Sequence, residues 1–110
     1  MKGVFYIMQT VLSNYSTLEQ KKIQLEKKAK DIELLKQKLE EHFKFKIPRY
    51  VIMDIAENED YRHFCLMINL AVINERLTEE NGKILANGIK EMLKIENQYS
   101  KLSIHKLLDD

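Results

Sequence analysis

Apolar residues recur at every seventh position in the N-terminal part of the chain. Leucine or isoleucine occupies four positions at this spacing: Leu18, Leu25, Ile32 and Leu39. Residues 16–43 also contain neither glycine nor proline. A seven-residue repeat keeps one stripe of a helix turned toward a partner helix over several turns. The pattern therefore predicts a long amphipathic, coiled-coil-like helix from Thr17 to about Phe43.

One side of this helix is expected to contact another helix, and we call it the predicted seam. It consists of Leu18, Leu25, Ala29, Ile32, Leu39 and Phe43. A coiled-coil seam has two apolar positions in each heptad. Whichever of the two the seven-spaced leucine and isoleucine residues occupy, lysine fills the other position twice. Lysine there weakens a strict two-stranded coil and can specify its register.

The start of the long helix has two interpretations. Residues 4–8 are apolar and suit a strand, but Val4 and Val11 extend the seven-residue spacing backward and favour helix. Ser16 and Glu19 have the form of a capping box, in which each side chain pairs with a backbone donor of the other at a helix start.

Pro48 ends the long helix, because proline cannot continue a helix and holds the preceding residue extended. Residues 50–73 then fit either a β-hairpin, from their alternating apolar positions, or helices. In the helical interpretation Asn58 caps a helix whose first turn carries Glu59 and Asp60. A strand of about twelve residues would exceed the usual five or six, so the helical interpretation is favoured.

The sequence pattern of residues 77–108 predicts two further helical segments. Thr78 is a good N-cap for a helix from about Glu79 to Gln98, in which two glycines cost about 1 kcal/mol each. A short amphipathic turn follows between residues 102 and 108. The predicted fold is thus all-α: an N-terminal segment and long helix in residues 1–46, then a small bundle of two to four shorter helices in residues 47–110. The alternative is an α+β fold with the hairpin at about residues 50–73.

Composition limits the function classes. The 110 residues are 45% hydrophobic and 32% charged, as in a folded protein, and the net charge of +1 creates no global attraction to nucleic acid. A single cysteine, Cys65, excludes an internal disulfide and a multi-thiolate zinc site, and is typical of the reducing cytoplasm. No apolar stretch is long enough to cross a bilayer. We therefore expect a cytoplasmic protein without a membrane partner.

Five lysines on the long helix form the densest basic cluster, which we call the lysine cluster: Lys21, Lys22, Lys27, Lys28 and Lys30. Lysines can neutralise phosphates. However, neither arginines nor aromatic residues accompany these lysines, so base readout and base stacking are not indicated. An ordinary solvated helix face is the favoured interpretation.

No residues form a recognisable catalytic, metal or cofactor motif. His63 and Cys65 lie two positions apart, which separates their directions on a helix, and no third ligand stands at a suitable spacing. Asp54 is the one acid within a clearly apolar run, where it is expected to cap or pair. The sequence therefore predicts that the protein is not an enzyme and has no catalytic residue, bound metal or cofactor.

The long seam favours association. We expect a small cytosolic interaction or regulatory protein that self-associates as a homodimer through its long helix, or that binds another helical protein. One alternative is a monomeric bundle, in which the long helix folds back on the shorter helices of its own chain. Another is a nucleic-acid-binding transcriptional regulator that uses the lysine cluster.

Overall fold

The computed structural model confirms an all-α fold. It describes the backbone of residues 2–109 and the side chains of residues 17–109. Five helices follow in chain order: α1 Lys2–Phe43, α2 Arg49–Ala56, α3 Tyr61–Ile73, α4 Glu79–Met92 and α5 Ile104–Leu108. The part of the chain that the structure describes contains no strand beyond an isolated bridge between Asp60 and Lys101. The long helix runs through Ser16 without a break, so the Ser16 capping box does not begin it.

The chain divides into two compact units, residues 1–30 and residues 31–110, which we call the N-terminal unit and the head. This division falls before the sequence-based boundary at residue 46. The reason is that the last part of α1 belongs to the core of the head, where it buries Ile32, Leu35 and Leu39. The other fully or nearly fully buried aliphatic residues of that core come from α2 to α5 and their connections.

The hairpin alternative for residues 50–73 is wrong, because burial in this segment follows the helical repeat. Phe64, Ile68 and Ala71 are buried in the core, whereas Leu66 and Leu70 are exposed. The apolar residues that alternate in the sequence are therefore divided between the side of α3 that faces the core and the side that faces solvent. α3 packs against both α2 and α4 within the head.

A carboxylate holds the turn from α1 to α2. Glu40 Oε2 accepts a hydrogen bond of 2.8 Å from the backbone N–H of Ile47, and Glu40 Oε1 lies 3.2 Å from the Lys36 ammonium. Burial by itself raises the pKa of Glu40, but these two donors and the nearby charge of Lys46 outweigh burial and hold the pKa below its ordinary value. The turn therefore brings Ile47 into the core as the first buried residue after α1.

The first four helices all end next to a residue in the left-handed region. These residues are Lys44, Asn58, Glu75 and Lys94, with φ between 53° and 69°. None is glycine, although glycine is the usual residue at this position. After α4, for example, the N–H of Lys94 donates to the Glu91 carbonyl and the N–H of Ile95 donates to the Lys90 carbonyl, which is the Schellman pattern.

Asn58 thus ends α2, and its prediction as the N-cap of α3 is wrong. The cap is Asp60, whose carboxylate accepts a 2.8 Å hydrogen bond from the N–H of His63. The two preceding donors are also paired: the N–H groups of Tyr61 and Arg62 donate to the carbonyls of Ser100 and Gln98. The segment after α4 therefore satisfies the start of α3. The predicted Thr78 cap is confirmed, with Asn81 N donating to Thr78 Oγ1 at 3.0 Å.

Gly88 allows the end of α1 to approach α4 closely. A Cβ atom built on Gly88 would overlap Cε1 of Phe43, since the two atoms would lie much closer than van der Waals contact. The Phe43 ring is partly buried and packs against the core of the head. Gly88 is one of the two glycines that lower the stability of α4, and its missing side chain makes room for the Phe43 ring.

We expect Gly88→Ala to destabilise the protein by about 1 kcal/mol, since the clash with Phe43 exceeds the gain in helix propensity. In a Phe43→Ala background the clash is gone, and Gly88→Ala should stabilise by about 1 kcal/mol. Urea denaturation of the four proteins measures both free energies of unfolding. The same sign in both backgrounds would contradict the contact.

Lys94→Gly is expected to stabilise the head by about 1 kcal/mol, because it removes the penalty of a left-handed L-residue. Lys90→Gly, four residues earlier inside α4, is the matched control and should destabilise by about 1 kcal/mol. Thermal and urea unfolding of the two variants check the opposite signs.

Candidate interaction surfaces

The structure places the six residues of the predicted seam in different surroundings. In the N-terminal unit, Leu18 is 65% exposed, Leu25 is 67% exposed and Ala29 is also exposed. In the head, Ile32 and Leu39 are buried in the core. The sixth seam residue, Phe43, packs against Gly88 of α4 and is therefore also covered by the head. Leu18 and Leu25 are therefore the large seam residues available to a partner.

Other exposed apolar residues lie outside the predicted seam. Ile23 in the N-terminal unit is exposed, although it does not belong to the seven-residue series. On α3, Leu66, Leu70 and Ile73 are exposed, and we call these three residues the α3 face. The α3 face could have been predicted from the sequence, because this helix has more large apolar residues than one buried side can hold.

The lysine cluster does not form one face. All its members except Lys28 are exposed, and Lys28 is partly buried. At about 100° per residue, Lys21 and Lys28 share one side of the helix, whereas Lys22, Lys27 and Lys30 are spread over the others. A phosphate backbone running along one side would therefore meet only part of the cluster. Binding of nucleic acid by these lysines stays a prediction without geometric support.

Asp54 and His63 form a pair between α2 and α3. His63 Nδ1 lies 2.6 Å from Asp54 Oδ2, and the Asp54 side chain is nearly buried. Burial raises the pKa of Asp54, against the opposing hydrogen bond from His63. The hydrogen bond to the Asp54 carboxylate raises the pKa of His63. The pair therefore joins two helices of the head, as the pairing interpretation of Asp54 expected.

Cys65 lies away from this pair. It lines a groove between α3 and α4 of about 500 Å³, which does not include His63 or Asp54. Burial raises the pKa of the Cys65 thiol, so the reactive thiolate is disfavoured. Burial also raises the pKa of the neighbouring Tyr61 to about 12, and the Tyr61 hydroxyl donates to the Ala86 carbonyl at 3.0 Å. The Tyr61 hydrogen bond joins α3 to α4, and Cys65 and Tyr61 do not form a nucleophile with a base.

Within residues 17–109, whose side chains the structure describes, no three His, Cys, Asp or Glu side chains come together as a metal site. Among the helices described, none is both long and apolar enough to cross a membrane.

Comparisons of the chain with protein-family models, curated proteins and solved structures find no match.

We expect the Asp54–His63 pair to make stability depend on pH. The folded-state pKa of His63 is raised above the ordinary value of 6.5. Protonated His63 therefore stabilises the fold below about pH 6.5, and this contribution is lost as the pH rises through the folded-state pKa. His63→Gln should remove this part of the pH dependence in urea denaturation. NMR titration should show the pKa of His63 falling in Asp54→Asn; an unchanged pKa would contradict the pairing.

Proposed function

We propose that this chain is an interaction protein that self-associates through its N-terminal unit, most simply as a two-fold homodimer. The observation that carries the proposal is the exposure of Leu18 and Leu25 on a helix with the seven-residue spacing of a helix contact. Helices with exposed apolar stripes are covered by a partner, and closed two-fold homodimers are the commonest assemblies. A regulatory role would follow from the control of this association.

The energetics require more than these two leucines. Burying a leucine contributes about 1.5–3 kcal/mol, so four leucines of a dimer contribute about 6–12 kcal/mol. Loss of translational and rotational freedom alone costs about 4–15 kcal/mol. Leucines packed against leucines therefore only offset the cost of association, and additional surface has to take part in the interface.

The arrangement of the lysine cluster does not favour nucleic-acid binding as a second function. The residues of the lysine cluster surround their helix, and the whole chain has a net charge of only +1. A lysine-rich segment with acids four residues away is typical of a solvated helix surface.

The double variant Leu18→Gln/Leu25→Gln tests the proposal. Light scattering should give the mass of a dimer for the unchanged protein and of a monomer for the variant. We expect at least about tenfold weaker association per leucine, because each leucine contributes at least about 1.4 kcal/mol. The control is Gln20→Asn/Gln24→Asn, which changes two exposed polar residues of the same helix and should leave the dimer intact. A monomeric unchanged protein at the highest soluble concentration refutes the proposal.

A further inference from the structure

The head carries an apolar surface that its own core does not use. Leu66 is 54% exposed, Leu70 is 41% exposed and Ile73 is 75% exposed. Ile73 is the most exposed large apolar side chain among the described residues. Their spacing of four and three residues places the three on one side of α3. Exposed apolar patches of this kind mark interaction sites.

The α3 face matches the exposed part of the predicted seam in its spacing along the helix. Leu66 and Ile73 are seven residues apart, as are Leu18 and Leu25, so each pair spans about 10 Å along its helix. α3 has 13 residues, and residues 17–30 are a helical stretch of similar length. Two helices with matching repeats can place apolar side chains between one another along the whole contact.

The charges around the two surfaces are opposite. Residues 17–30 contain five lysines and two glutamates, a net charge of +3. Residues 57–80, which include α3 and both flanking turns, contain six acids and two arginines, a net charge of −4. These acids stand before and after α3 and leave its apolar face clear. Complementary charge favours this pairing, whereas two copies of residues 17–30 side by side repel each other.

We propose that the α3 face binds residues 17–30 of a second copy of this chain. This inference rests on the proposed self-association and names its contact surface: Leu18 and Leu25 of one copy pack on Leu66, Leu70 and Ile73 of the other. Each copy has one surface of each kind, so two copies provide two such contacts. The contact supplies the additional apolar surface that leucine-on-leucine pairing lacks.

Two loss-of-contact variants distinguish this arrangement from a seam that pairs with itself. The first is Leu18→Gln/Leu25→Gln, which keeps the α3 face. The second is Leu66→Gln/Ile73→Gln, which keeps the helix segment; its control is Asn69→Gln/Asn74→Gln, with two exposed polar residues changed in and beside α3. All substituted side chains are exposed, and circular dichroism and urea denaturation check that every variant folds like the unchanged protein.

Each loss-of-contact variant should be monomeric alone, and the control should dimerise like the unchanged protein. Mixing the two variants should restore association, because the first provides a face and the second provides a segment. Fluorescence anisotropy of the labelled first variant, titrated with the unlabelled second, measures this complex. We expect affinity at least about tenfold above that of either variant for itself. The affinity should fall between about 0.05 and 0.5 M salt as screening increases.

The outcomes separate this inference from the proposed function. If Leu66→Gln/Ile73→Gln still dimerises, the segment pairs with itself or the α3 face serves a different partner; the inference is then wrong while self-association stands. If the mixture fails to associate, the inference is also wrong. A monomeric unchanged protein overturns both.

Discussion

The head depends on three side chains that it receives from α1. Ile32, Leu35 and Leu39 are buried together with residues of the shorter helices. Each of α2 to α5 has at most 14 residues, and short helices are stabilised mainly by packing of an apolar face. Without the last part of α1, that packing surface would be missing. The long helix is therefore a structural element of the head as well as the carrier of exposed leucines.

The helical content of this chain could be predicted, because helix signals are local. The seven-residue spacing, together with the absence of proline and glycine, predicted a helix from Thr17 to Phe43. Thr78 indicated the start of α4. The partner of the seam could not be read in the same way. Ile32 and Leu25 have identical spacing in the sequence, yet one is buried in the head and the other is exposed. Periodicity gives the side of a helix, and only the fold decides what covers it.

The ambiguity between hairpin and helix in residues 50–73 has a physical origin. α3 carries large apolar residues on its outer side as well as on its core side, so its sequence alternates like a strand. A helix with only one apolar side would have shown the ordinary period of three to four residues. The feature that obscured the secondary structure is therefore the same feature that gives the head its exposed apolar surface. The position of the α3 cap was also missed, since Asn58, Glu59 and Asp60 are all plausible caps by residue type.

The contact between Phe43 and Gly88 has an evolutionary consequence. A larger residue at position 88 collides with the ring, while a smaller residue at position 43 leaves a void beside α4. Selection for a stable head therefore links the two positions, so that a bulkier residue at one is tolerated when a smaller one appears at the other. Such covariation would report the contact even in descendants whose surfaces have diverged.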